Sequence, residues 1–174
     1  MEPTISIRVS IPADAADVSA LLESSYPELM KHAYPDTILR RALPPMVRAN
    51  PKLLASGTYY VAVADDGLVV GCGGWTPEKP GTMETEPGVG HLRHFAVRSG
   101  WNGRGIGRRI YDRCETEARA VGVTVLEVYA SLNAPAFYAS LGFSKVGDIV
   151  VAVGRDIPFP SVWMRRSILG IAAR

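Results

Sequence analysis

Ile5, Ile7 and Val9 alternate with Thr4, Ser6, Arg8 and Ser10, the two-residue period of a strand with one buried face. After Pro12 the period changes. Val18, Leu21 and Leu22 recur at helical spacing behind Asp14, a residue type suited to capping, and the helix is expected to stop near Tyr26-Pro27. Glu28 to Pro51 carries Pro35, Pro44, Pro45 and Pro51 around short helical patterns such as Thr37 to Leu43, which reads as broken helices and loop. Tyr59 to Ala64 and Leu68 to Trp75 are apolar or β-branched runs joined by Asp65-Asp66-Gly67, whose Asp-Gly pair suits a tight hairpin turn. Thr76 to Gly90, with Pro77, Pro80 and Pro87, predicts a long loop. His91 to Arg98 reads as a strand, and Ile106, Ile110, Cys114, Ala118 and Val121 form a helical stripe that Gly122 ends. Val123 to Ala130 is a further strand, Ala134 to Leu141 a short helix stopped by Gly142, and Ile149 to Val153 and Val162 to Ser167 two closing strands.

This order predicts an α/β protein with a mixed sheet flanked by helices. The hairpin turn forces antiparallel neighbours and excludes purely parallel winding, while His91 to Ala130 is long enough for one parallel crossover. The chain has 174 residues, 47% apolar and 21% charged, which fits a single domain spanning residues 1–174 whose core needs no disulfide or metal. A net charge of +2 is too small to argue for nucleic acid or an anionic membrane as the main partner, so neither is expected, although it allows a local basic site. No apolar run approaches the roughly 18 residues of a membrane span, and Met1 to Thr4 lacks a basic leader, so a cytoplasmic location is expected. Cys72 and Cys114 stand far apart and spell neither a zinc knuckle nor a redox pair; they read as buried thiols.

The candidate chemistry lies at Trp101-Asn102-Gly103-Arg104-Gly105-Ile106-Gly107-Arg108-Arg109, between a predicted strand and the helix it enters. Alternate glycines allow a turn that aims successive amides at one point, and a helix start adds partial positive charge. Arg104 and Arg108, four apart, share a helical face if Arg104 lies in the first turn, and so reach phosphate oxygens together. A pyrophosphate is the natural guest. No Gly-Lys-Ser or Gly-Lys-Thr follows, and Arg108 stands where a dinucleotide fingerprint needs its third glycine, so nucleotide hydrolysis and dinucleotide binding lose support.

Phe95-Ala96-Val97 followed by Asn102-Gly103-Arg104-Gly105-Ile106-Gly107 resembles the acetyl-CoA signature of the GCN5-related N-acetyltransferase (GNAT) family, and Asn133-Ala134-Pro135-Ala136-Phe137-Tyr138-Ala139-Ser140-Leu141-Gly142-Phe143 is similar to that family's second signature. Asn102 departs from the usual Gln or Arg. The resemblance implies a central, mostly antiparallel sheet of about seven strands with a parallel pair splayed around the cosubstrate. It implies pantetheine contacts at Phe95, Ala96 and Val97, pyrophosphate contacts at Asn102, Gly103, Arg104, Gly105, Ile106, Gly107 and Arg108, and a cosubstrate contact at Asn133. The implied activity is acetyl transfer from acetyl-CoA to a primary amine of a small molecule or protein, by direct attack in a ternary complex and without a metal.

Tyr138 matches the family's usual acid; a phenol with a reference pKa of about 10 is protonated at neutral pH and can donate to a departing thiolate. His91 is the leading candidate base, through a spacing to Phe95-Ala96-Val97 similar to that of an active-site histidine in arylalkylamine N-acetyltransferases, with Glu86, Glu127 or a chain of waters as competitors. Strict alternation puts His91 and Arg93 on the face of Phe95 and Val97, and His94 on the other. Glu78, Glu84 and Glu86 offer an acidic rim to an ammonium, against Lys31, Arg40, Arg41, Arg48 and Lys52 on the opposite side. The alternatives are a non-catalytic acyl-CoA-binding or sensing module and an anion-binding scaffold without CoA specificity. An edge at Val162 to Ser167 would permit a homodimer.

Overall fold

The computed structural model describes residues 2–170. Its single sheet has seven strands in the order β1-β2-β3-β4-β5-β7-β6. In chain order the elements are β1 (Ile5–Val9), α1 (Ala15–Met30), α2 (Asp36–Met46), α3 (Pro51–Leu54), β2 (Tyr59–Ala64), β3 (Val69–Thr76), β4 (Val89–Val97), α4 (Ile106–Ala120), β5 (Val125–Ser131), α5 (Pro135–Ser140), β6 (Ser144–Val153) and β7 (Ile157–Ser167). All neighbours are antiparallel except β4 and β5. The mixed, helix-flanked sheet expected from the sequence is therefore the one observed.

Each face of the sheet buries its own apolar cluster. Tyr60, Ala62, Val70, Leu92, Leu126 and Val128 point one way and meet the stripe Ile106, Ile110, Cys114 and Ala118 of α4. Tyr59, Val61, Val69, Cys72 and Ala96 point the other way, against Val18, Leu21, Leu22, Tyr26 and Met30 of α1 and Leu39 and Ala42 of α2. The period-2 and period-3.6 patterns thus mesh across the two layers.

Prolines mark the places where sequence and structure part. α1 does not stop at Tyr26-Pro27 but continues to Met30, and α2 includes Pro44 and Pro45 in its last turn. A proline inside a helix costs about 3 kcal/mol, yet stopping α1 there would expose Met30, which is 2% exposed in the apolar layer. β7 begins at Ile157, ahead of Pro158 and Pro160. Its pairing with β5 starts only at Ser161, so the two prolines sit where β7 has β6 as its sole neighbour, and no ladder bond to β5 is lost. Val162 to Ser167 is covered on both sides by β5 and β6, so the free edge at this end of the sheet belongs to β6 rather than to β7. Asp14 does not cap α1; its carboxylate accepts from the Ile11 amide and from both terminal nitrogens of Arg8, at 2.8–2.9 Å, tying β1 to the start of the helix.

Tyr34, just after α1, binds the helical layer to the far half of the sheet. Its hydroxyl donates to the Pro160 carbonyl at 2.6 Å and accepts from the Leu132 amide at 2.8 Å, while its ring stacks on Phe159 with centroids 4.3 Å apart. Tyr34→Phe keeps the stacking and strips both polar partners, so chemical denaturation is expected to show a loss of about 1–3 kcal/mol; an unchanged unfolding midpoint would refute the link.

Candidate active site

The parallel pair is hydrogen-bonded for a short stretch only: Val89, Gly90 and His91 of β4 face Val125, Leu126 and Glu127 of β5. Beyond His91 the strands diverge, and the gap opens into a cavity of about 1460 Å³ lined on β4 by Arg93 to Val97 and on β5 by Val128 to Ser131. A β-bulge sits at the point of divergence. Cys72 pairs with Ala96 and Gly74 with Arg93, so Gly73 alone faces His94 and Phe95. His94 adopts φ +49°, a left-handed conformation uncommon for a residue with a side chain. Its carbonyl accepts from the Tyr59 hydroxyl at 2.9 Å, and the Phe95 carbonyl accepts from the Tyr26 hydroxyl at 3.2 Å. A Cβ on Gly73 would lie 2.8 Å from the Phe95 ring, so the absence of a side chain there lets the ring cross the strand.

The extra residue breaks the alternation on which the sequence reading relied. Leu92, Phe95 and Val97 all belong to the α4 face, and His91 and Arg93 lie on the α1/α2 face, opposite Phe95 and Val97 instead of beside them. Tyr129 and Glu127 share that second face, because their neighbours Leu126, Val128 and Ala130 belong to the first.

Beyond Val97 the chain turns through Gly103 (φ +79°) and Gly105 (φ +74°) into α4, and a smaller cavity of about 250 Å³ lies against the turn, lined by Asn102, Gly103, Gly105, Ile106, Gly107 and Arg108. The Arg109 amide is the first to bond into the helix, to Gly105 at 3.0 Å. Among the described residues the amides from Gly103 to Arg108 have no acceptor, which leaves a run of donors at the positive end of a helix dipole. Gly107 serves a different end: a Cβ there would sit 2.9 Å from the Phe137 ring, so it sets the approach of α5 to α4. Arg104 lies outside the helix, its guanidinium 4.6 Å from the centre of the Trp101 ring, while Arg108 donates to the Ser140 carbonyl at 2.9 Å. The helical pairing expected of the two arginines does not occur, because α4 begins at Ile106.

Phe95, Ala96, Val97, Asn102, Gly107, Asn133 and Tyr138 all line the large cavity. Among the described residues Asn133 Oδ1 is buried without a hydrogen-bond partner. His91 lines neither cavity. It is 4% exposed, with Nδ1 at 3.8 Å from Glu127 Oε2, beyond hydrogen-bond distance, and the other Glu127 oxygen is 3.7 Å from Arg165 Nε. Burial, followed by the charges of Lys79 and Arg93, pushes the His91 pKa down to about 4. His94 falls to about 4 through burial and then Arg93. Burial raises the Tyr138 phenol well above its usual range. It also lifts the Cys72 thiol to about 12 and moves Cys114 in the same direction, so neither is a poised nucleophile.

The wall includes residues the sequence did not assign to the site: His94, which strict alternation turned to the other face, Tyr26, Met30 and Met46 from the helical layer, and Ile149 to Val153 of β6. Of these only β6 left a signal, its apolar run. The expected acidic rim is absent from the wall: Glu78, Glu84 and Glu86 do not line the cavity, and Lys79 from the same loop does. Among the described residues no cluster of three or more His, Cys, Asp or Glu side chains is placed to hold a metal, and no helix is long and apolar enough to cross a membrane.

A splayed parallel pair leading to an amide-lined turn defines an acyltransferase-type architecture. The model of the Acetyltransferase (GNAT) family matches residues 17–143, and the chain belongs to this family. An IAA acetyltransferase of Azospirillum brasilense is 34% identical over 92 residues, covering 51% of this chain and 56% of that protein, so the chain spans about half the length of this curated relative. A GCN5-related N-acetyltransferase from Rhodopseudomonas palustris superposes with a TM-score of 0.76 at 23% identity, over 96% of this chain and 98% of that one. The acetyltransferase yncA from Salmonella typhimurium, solved with acetyl-CoA, superposes at 0.60 with 18% identity over 98% of each chain. The paia N-acetyltransferase from Thermoplasma acidophilum, solved with coenzyme A, does so at 0.66 with 12% identity over 94% of this chain and 99% of that one. At these identities the superpositions establish a shared fold.

The two depressed histidines make stability sensitive to acid. Their folded-state pKa values of about 4 lie below the ordinary 6.5, so the unfolded chain binds more protons between these limits. The melting temperature is expected to fall as pH drops from about 6.5 to about 4, with a shallower slope in His91→Gln; a slope unaltered by that change would contradict the assignment.

Proposed function

We propose that the chain transfers an acetyl group from acetyl-CoA to a primary amine by direct attack within a ternary complex. The observation that carries this reading is the unpaired edge of β4 running into a turn of unbonded amides. The Arg98 amide donates to the Val70 carbonyl of β3 at 2.8 Å; alternation turns the polar groups of Val97 the other way, into the gap. An extended pantetheine arm can pair there as an added strand, with Phe95, Ala96 and Val97 along its length and Asn133 across the gap. At the end of that path the pyrophosphate meets the amides of Gly103, Arg104, Gly105, Ile106, Gly107 and Arg108, with Asn102 at the junction of the two cavities. When bound, the thioester supplies the electrophilic acyl carbon.

The transfer forms an N–C bond and breaks the C–S bond. Tyr138, held protonated by its burial, donates to the sulfur that departs. The proton lost by the amine moves to solvent in the cavity or through it to His91, which is neutral at pH 7 but stands behind the wall. Arg93 and Lys79 reduce the demand on any base, because nearby cations lower the pKa of a bound ammonium. The buried, undissociated thiols of Cys72 and Cys114 favour direct attack over an acyl-enzyme.

Tyr138→Phe is expected to lower kcat by about 10²-fold, followed as free CoA thiol across an amine panel, while the calorimetric affinity for acetyl-CoA stays near that of the parent. Unchanged turnover would remove Tyr138 from the chemistry. Tight acetyl-CoA uptake with no thiol release from any amine would favour a binding module instead.

A further inference from the structure

The ionised side chains on the wall of the large cavity are all cationic: Arg48, Lys52, Lys79 and Arg93, with no Asp or Glu among the lining residues. A wall suited to a simple ammonium would show the opposite sign. Arg93 is the most telling of the four. It is half-buried, its guanidinium donates from Nη1 to Thr76 Oγ1 at 3.2 Å, and among the described residues it forms no ion pair. A guanidinium carries five N–H donors, so most of this fork is unanswered among the described residues. Glu78 is the acid whose field reaches Arg93, but it does not pair with it.

Two of these cations, Lys79 and Arg93, lie near one another beside His91. Lys79 and Arg93 both act on His91, and Lys79 also acts on the Tyr129 hydroxyl. Arg93 and Tyr129 point to the α1/α2 face, whereas Phe95 and Val97, which border the proposed pantetheine path, point to the α4 face. The cation pair therefore belongs to the acceptor's side of the gap. Met30, Met46, Val151 and Phe159 supply an apolar wall on that same side.

Building on the acetyl-transfer reading, we infer that the acceptor is a free amino acid with an apolar side chain, its carboxylate held by Arg93 and Lys79 and its side chain laid against Met30, Met46, Val151 and Phe159. The planar fork of Arg93 matches a carboxylate in two parallel hydrogen bonds, which Lys79 reinforces as a point charge. With the carboxylate fixed there, the neighbouring amine faces the gap where β4 and β5 part. An amine whose carboxylate has been converted to an amide, as in a peptide, leaves the guanidinium unpaired and loses that interaction.

The test follows thiol release from acetyl-CoA with phenylalanine, methionine and leucine, each against its carboxamide and its decarboxylated amine. The free acids are expected to show kcat/KM at least about tenfold higher, most of it in KM. In Arg93→Gln this preference falls towards unity through a raised KM, and Arg93→Lys retains an intermediate preference. A second measurement needs no turnover: the CoA-loaded protein should bind N-acetylphenylalanine at least about tenfold more tightly than N-acetylphenylalaninamide in calorimetry. Equal or better use of the amides or amines overturns the inference, as does an equal loss for acid and amide in Arg93→Gln, or failure to bind or acetylate any amino acid. If acetyl-CoA itself is not taken up, the acetyl-transfer reading fails; if it is taken up and only carboxylate-free amines are acetylated, that reading stands and the amino-acid assignment falls.

Discussion

The site depends on an interrupted ladder between two parallel strands. β4 and β5 share hydrogen bonds from Val89 to His91 and then part. Unpaired strand edges inside a fold are costly unless something meets their amides and carbonyls. Here the bulge at His94-Phe95 takes up part of that demand, since the phenols of Tyr59 and Tyr26 bond the two carbonyls it displaces. The remaining edge borders a cavity, and the donors at the start of α4 extend it. Everything described for the site, from the position of Tyr138 to the two-sided arrangement of charge, is arranged around that opening.

Much of this was legible in the residue pattern, and the exceptions share a cause. The hairpin at Asp65-Asp66-Gly67, the α4 stripe and the glycine turn could be read because local chemistry decides them: positive φ, helical periodicity and freedom from side chains. α1 past Pro27 and β7 through Pro158 and Pro160 could not, because burial of Met30 and the lack of a β5 neighbour are tertiary facts that override a local breaker. The bulge was hidden for the same reason. Arg93-His94-Phe95 carries no glycine; the residue that allows the irregularity is Gly73, on the neighbouring strand. One inserted residue then moved His91 and Arg93 to the other face, and with them the expected place of a base.

Charge was the least legible property. The chain is close to neutral, at +2, and the loop after β3 reads as acidic. Folding sorts these groups: Glu78, Glu84 and Glu86 stay off the cavity wall while Lys79 and Arg93 line it. A near-zero sum thus conceals a strongly one-signed interior surface, which only the fold makes visible. Arg93 adds to burial in weakening the basicity of both neighbouring imidazoles, so the group proposed to hold the acceptor's carboxylate also bears on the acid tolerance of the molecule.

The contact between Gly107 and Phe137 has a mechanical consequence. With no Cβ on the helix, the aromatic ring rests almost on the backbone of α4's first turn, and the next residue of α5 is Tyr138. A side chain at position 107 would force this ring, and with it the start of α5, away from α4, so one missing methyl group fixes how near the Tyr138 segment lies to the glycine turn.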